Sequence, residues 1–170
     1  NLCDTVMETM VLGAYAEYIK LPGRIVAVNL YPKPEELPFA VAALLEPLSC
    51  VVHGIESIVL HPDDHVVLLG AGAISLLHLL TLRAMGLRHI AVLGRRANRA
   101  QHAKRLGAEE VFSGAVSHAR EQVLAYTQGR GADVVIECTG QVDVWEAAPG
   151  LARRGGQVVL FGGCPPGTSV

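Results

Sequence analysis

Residues Gly70-Ala71-Gly72-Ala73-Ile74-Ser75 carry the spacing G-x-G-x-x-S. A glycine in the first position permits a tight turn, and one in the second lets backbone approach a diphosphate closely. The free amides of a following helix then face the anion. Ser75 stands where a third glycine would let helix and strand pack together, so its Cβ and hydroxyl require a small helix shift. Such a loop has meaning only between a strand and a helix. Here 66–70, VVLLG, reads as a strand, and a helix from about 73 to 85 follows, closed by Gly86. The expected ligand is a nucleotide, held by Gly70, Gly72, Ala73 and Ile74.

A second group lies one unit downstream. The apolar run 90–93 ends in Gly94, Arg95 and Arg96. In a dinucleotide-binding unit the second strand commonly ends in a carboxylate that binds the adenosine ribose. Glycine there leaves room for a 2′-phosphate, which a carboxylate would repel, and guanidinium matches phosphate with two parallel hydrogen bonds. The alternative is that both arginines merely open helix 97–106. That place is electrostatically poor for cations, since a helix presents positive charge at its start. NADP(H) is therefore expected over NAD(H). Thr139 and Gly140, at the carboxyl end of a central strand, complete the cofactor side.

The elements that position these residues alternate. Strands are expected at 66–70, 89–94, 109–112, 132–140 and 156–163. Helices are expected at 73–85, 97–106, 117–128 (Ser117 as N-cap, Gly129 as terminator) and 141–154. Alternating β and α with short connections predicts an α/β fold, a doubly wound parallel sheet of Rossmann type. Ahead of it, 13–28 alternates and is rich in Tyr, Ile and Val, which predicts two short strands around Pro22–Gly23. The stretch 30–38 holds three prolines, and 38–57 reads as helix interrupted near Pro47.

The bulk composition agrees. Apolar residues make up 51% and aromatics 5%, which suits a parallel sheet buried on both faces. Net charge is -2 and gives no reason to expect nucleic acid. Between Asp64 and Glu109, however, there is no acidic residue and seven basic ones, which points to a local anion site. The uncharged run 66–82 divides into strand and helix rather than a membrane span. Four widely spaced cysteines and no visible signal segment argue against a secreted disulfide scaffold. A cytoplasmic location is expected.

Several stretches together resemble the zinc-dependent medium-chain dehydrogenase/reductase family, within the alcohol dehydrogenase superfamily, and its sorbitol and threonine dehydrogenase branch most. They are GAYAEYIKLP (13–22), AALLEPLSCVVHG (42–54), GAGAIS (70–75), LGA (106–108), ADVVIECTG (132–140) and GGQVVLFG (155–162). The resemblance implies a partial, strand-rich remnant of a GroES-like catalytic domain over 1–45. It implies a dinucleotide-binding domain over 46–170 that lacks its last strand. The chain then reads as the central portion of a longer enzyme that transfers hydride between NADP(H) and an alcohol or ketone. The portion alone would be inactive. The resemblance also places nicotinamide contacts near Phe161 and Gly162, and implies Zn2+ in the full-length parent. Glu46 would lie at the catalytic zinc, and Cys3 would be an orphan of a structural zinc site. A homo-oligomeric parent is implied, with no membrane or nucleic-acid partner.

Other polar residues read as structural. His61, Asp63, Asp64 and His65 form a solvated loop, His53 and His78 pack internally, and Cys50 and Cys138 are buried small apolar groups. Two alternatives stand beside the main reading, a zinc-free NADPH reductase of the same superfamily and a non-enzymatic nucleotide-sensing domain. A methyltransferase would share the glycine loop but give no use to Arg95 and Arg96.

Overall fold

The computed structural model describes residues 15–168. The chain divides into two compact units between Ala42 and Ala43.

In the first unit, the described residues form a helix, α1 (Gly23–Asn29), a proline-rich turn and a single helical turn, α2 (Phe39–Ala42). None of its described residues is buried. The Lys33 ammonium ties the turn by donating to the carbonyls of Pro34 (2.6 Å) and Leu37 (2.7 Å), and sits 5.0 Å from the centre of the Phe39 ring. The two strands expected around Pro22–Gly23 are not found among the described residues. Pro22 instead precedes the first residue of α1. The physical reason is partnership: a strand closes its hydrogen bonds only on a neighbour, and the described residues of this unit supply none, whereas a helix closes them internally.

The second unit begins with α3 (Leu45–Glu56). Pro47 lies in its first turn, where a missing N–H is harmless, so the expected interruption falls before the helix, at residues 43–44. Then follow β1 (Val66–Leu69), α4 (Ala73–Ala84), β2 (Ile90–Gly94), α5 (Ala97–Arg105) and β3 (Glu110–Ser113). A 3₁₀ turn (Val116–His118) leads into α6 (Ala119–Tyr126), then β4 (Ala132–Glu137). Next come α7 (Val142–Ala147), a second 3₁₀ turn (Ala148–Leu151) and β5 (Ala152–Leu160). Several boundaries differ from expectation: β4 ends at Glu137 and β5 at Leu160, each three residues early. Ser117 lies inside the 3₁₀ turn and caps nothing, while residues 152–154 belong to β5 rather than to the preceding helix.

The five strands run parallel in the order β3-β2-β1-β4-β5. Strand alternation divides the core in two. Val66, Leu68, Ile90, Val92, Val134 and Ile136 face α3, α4 and Ala103 of α5, contacting Val51, Ile55, Leu79 and Leu82. Val67, Leu69, Ala91, Leu93 and Val135 face the other way, onto Val116, Ala119, Val123, Ala148 and Leu151. Each buried Val or Leu contributes roughly 1.5–3 kcal/mol. Both faces covered is the condition for a parallel sheet, and it explains the nearly aromatic-free interior. No described helix is long and apolar enough to cross a membrane.

Candidate functional site

The chain leaves β1 toward β2 and β3 on one side, then returns to β4 and β5 on the other. Open parallel sheets form a crevice at such a reversal, beyond the carboxyl ends of the strands. A cavity of about 560 Å³ lies there, lined from the glycine loop by Gly70, Ala71 and Gly72, and from beyond β2 by Arg95, Arg96 and Arg99. Cys138 and Thr139, past the end of β4, and Asp143 in the first turn of α7 line it as well.

The glycine loop is shaped by two different constraints. Gly70 has φ +113°, and a Cβ there would come within 2.8 Å of the Thr139 methyl. Gly72 is extended, caps α4 without any side-chain bond, and has open space where a Cβ would stand. Backbone is thus exposed at the start of α4, where helix amides lack intrahelical acceptors. Ala73 and Ile74 form its first turn. Ser75 is fully buried, and its hydroxyl has no hydrogen-bond partner among the described residues.

Arg95 and Arg96 are exposed at the cavity, with Arg96 as N-cap of α5. Among the described residues neither they nor Arg99 pairs with a carboxylate. Gly94 has a different role from the one expected. It does not line the cavity, because a Cβ there would meet the Ala71 side chain at 2.9 Å and that of Ala100 at 3.6 Å. The glycine lets β2, the loop and α5 approach one another, since Ala71 and Ala100 fill the direction a Cβ would take.

Sequence reasoning missed two residues. Arg99 adds a third guanidinium, one turn into α5. Glu137, fully buried at the end of β4, accepts hydrogen bonds from the backbone amides of Thr139 and Gly140 and from the Thr139 hydroxyl. Its backbone carbonyl accepts from the amides of Phe161 and Gly162. The signal was present as an acid closing the apolar run 134–136, since a buried carboxylate requires donors. Gly140, φ +67°, packs on Gly163, and Gly162 packs on Gly140 and Glu137. Phe161 meets the buried His78 ring edge-on, at 4.7 Å between centres. Phe161 and Gly162 thus buttress the cavity wall and do not line it.

Glu46 is exposed in the first turn of α3, with the Cys50 thiol 3.4 Å from its carboxylate. No group of three metal-binding side chains forms among the described residues, and Cys3 lies outside them. Cys50 and His53 are exposed, contrary to expectation, because α3 buries only the face carrying Val51 and Ile55. His78 is buried as expected, and burial holds its pKa below the ordinary imidazole value. Cys138 is half-buried, and burial pushes its thiol pKa up.

Comparison with known proteins places this fold and loop in one class. A family model described as zinc-binding dehydrogenase matches residues 73–170, and the chain belongs to that family. Sorbitol dehydrogenase of Bacillus subtilis (strain 168) is 30% identical over 165 residues, covering 95% of this chain and 46% of the relative. L-threonine 3-dehydrogenase of Chromobacterium violaceum is 30% identical over 162 residues, covering 93% and 45%. A Sinorhizobium meliloti 1021 protein assigned as a zinc-binding dehydrogenase and bound to NADP superposes with a TM-score of 0.72 at 31% identity. That match covers 81% of this chain and 41% of the other. The chain spans about half the length of the curated relatives it matches.

Proposed function

We propose that this chain is the cofactor-binding portion of a zinc-type alcohol or polyol dehydrogenase and that it takes NADP(H) in preference to NAD(H). One observation carries the reading. Three guanidinium groups, Arg95, Arg96 and Arg99, stand at one cavity with the open glycine loop and have no carboxylate partner among the described residues. The solved relative bound to NADP supports it.

In this reading the amides at Gly72, Ala73 and Ile74 receive the pyrophosphate, and Arg95 and Arg96 bind the 2′-phosphate with Arg99 beside them. Thr139 lies at the wall that the nicotinamide half would reach. Gly70 keeps Thr139 in place, and Glu137 fixes the turn behind it. The bound nicotinamide would supply the hydride chemistry, and an alcohol or ketone would be the whole protein's substrate. In the same proposal this chain's share of the work is binding and orienting the cofactor, and activity belongs to the whole protein. Exposed Tyr15, Tyr18, Tyr31 and Phe39 fit a first unit that packs on further protein surface. A homo-oligomeric parent is part of the same proposal.

Calorimetric titration with NADPH and with NADH, at one fixed salt concentration, tests this reading. NADPH is expected to bind at least tenfold tighter, and equal affinities would contradict it.

A further inference from the structure

A second cavity lies at the opposite end of the sheet, where β4 and β5 begin. It measures about 190 Å³ and is lined by Arg120, Arg130, Arg153 and Arg154, with Gly129, Gly131 and Gly150 among the backbone around them. Its lining residues include four arginines and no Asp or Glu. The nearby Asp133 is buried, and its oxygens already accept from the Arg153 side chain and the His65 amide (2.8 Å), with Arg130 at 3.6 Å. Four like charges in one concavity repel one another, and one shared carboxylate leaves most of that repulsion uncompensated.

Two of the arginines are held by side-chain hydrogen bonds. Arg120 donates to the Gly150 carbonyl at 2.7 Å, and Arg153 donates to Asp133 and to the Arg154 carbonyl. Arg130 sits in a turn flanked by left-handed residues, Gly129 at φ +85° and Gly131 at φ +87°. A Cβ on Gly131 would come within 2.8 Å of the Arg153 nitrogen, so the turn lies hard against the start of β5. That close approach brings Arg130 beside Arg153 and Arg154. The amides of Gly129, Arg130 and Gly131 are all bonded within the turn, which leaves recognition to the guanidinium forks.

We infer that this arginine-lined hollow is a second anion site, binding a small molecule through its phosphoryl group, separate from the glycine-loop cavity. Guanidinium suits phosphate oxygens in paired hydrogen bonds. The volume is about a third of the 560 Å³ of the first cavity, enough for a phosphoryl or diphosphoryl group and too small for a whole dinucleotide. The charges converge on a hollow instead of following a stripe, and no aromatic side chain lines it. Both features oppose a single-stranded nucleic acid, which needs a track of charge and stacking faces. The inference does not depend on the cofactor reading.

The test is calorimetric titration of the chain with pyrophosphate, inorganic phosphate and ribose 5-phosphate, ionic strength being held constant with chloride. The comparison is between Arg120→Ala/Arg154→Ala and Arg95→Ala/Arg96→Ala. The first pair should weaken binding of the tightest phosphoryl probe at least tenfold and leave NADPH affinity unchanged, while the second pair should spare that probe. Tighter binding of the ester would assign the site to a phosphorylated metabolite, and tighter binding of an inorganic ion to free phosphate or diphosphate. Should the double variant not fold, Arg154→Gln serves, because Arg154 is exposed and its guanidinium bonds no described residue; it should weaken binding severalfold. The inference is overturned if the Arg120 and Arg154 variants bind the probes as the unsubstituted chain does. It is equally overturned if only the Arg95/Arg96 variant loses binding, or if only tRNA or anionic vesicles bind.

Discussion

The α-carbon of Gly70 faces the methyl group of Thr139, and a Cβ at residue 70 would lie 2.8 Å from it. The two residues close the gap between the ends of β1 and β4, where the reversal of strand order opens the cavity. Gly70 also holds φ +113°, which L side chains rarely adopt. Gly70→Ala therefore suffers twice, once from backbone strain and once from the methyl. A loss of about 1–3 kcal/mol in stability is expected, together with at least tenfold weaker NADPH binding. Denaturant unfolding and calorimetry would measure both. Thr139→Ser in the same chain removes the methyl and should restore part of the stability, though not the part due to φ.

Glu137 acts on the same wall from beneath. Its carboxylate accepts from two amides and a hydroxyl, and Gln in its place offers one acceptor oxygen and an amide group facing donors. An unmet buried donor costs about 1–3 kcal/mol. Glu137→Gln is expected to lower stability by that order and to weaken NADPH and NADH alike, since the turn and not the 2′-phosphate is affected. A selective loss of NADPH would contradict this role.

The pH dependence has a definite sign. Burial lowers the pKa of His78 below 6.5, and backbone bonding to Ile74 opposes this only in part. The unfolded chain takes up a proton as pH falls through 6.5, and the folded chain does so only lower, so this stability is present above 6.5 and lost below it. His65 acts in the same direction, lowered by burial and by the charges of His89 and Arg130, with Asp133 and Glu109 opposing. At Asp133 burial pushes upward, yet the Arg153 and His65 bonds and the Arg130 charge hold the carboxyl below 3.8. That contribution is present above 3.8 and lost as pH falls through the lowered value. Thermal unfolding between pH 7 and 5 should show a falling Tm, with a shallower slope in His78→Leu than in the unsubstituted chain. An unchanged slope would remove His78 from the account.

The sheet was legible because its signals are local. Unbroken apolar runs mark strands buried on two faces, and Gly86, Gly107 and Gly129, all at positive φ, mark helix ends. That Arg95 and Arg96 stand at the cavity was legible from their place just past the end of an apolar strand. What sequence reading missed depends on contacts between distant segments. Gly94 looked like space for a phosphate, but Ala71 and Ala100 occupy that direction. Glu137 was passed over because only the fold brings its donors together. The alternating stretch 13–28 suggested strands, but strand pairing needs a partner, and the described residues of its unit offer none.

The central claim is that Arg95 and Arg96 read the 2′-phosphate. The most direct measurement is the ratio of NADPH to NADH dissociation constants in the Arg95→Ala/Arg96→Ala chain, at the salt concentration used for the unsubstituted chain. Hydrogen bonds to charged groups contribute about 1.5–3 kcal/mol, so a preference of tenfold or more should fall to within about threefold of unity, with NADH affinity unchanged. A preference that survives the double substitution would contradict the account.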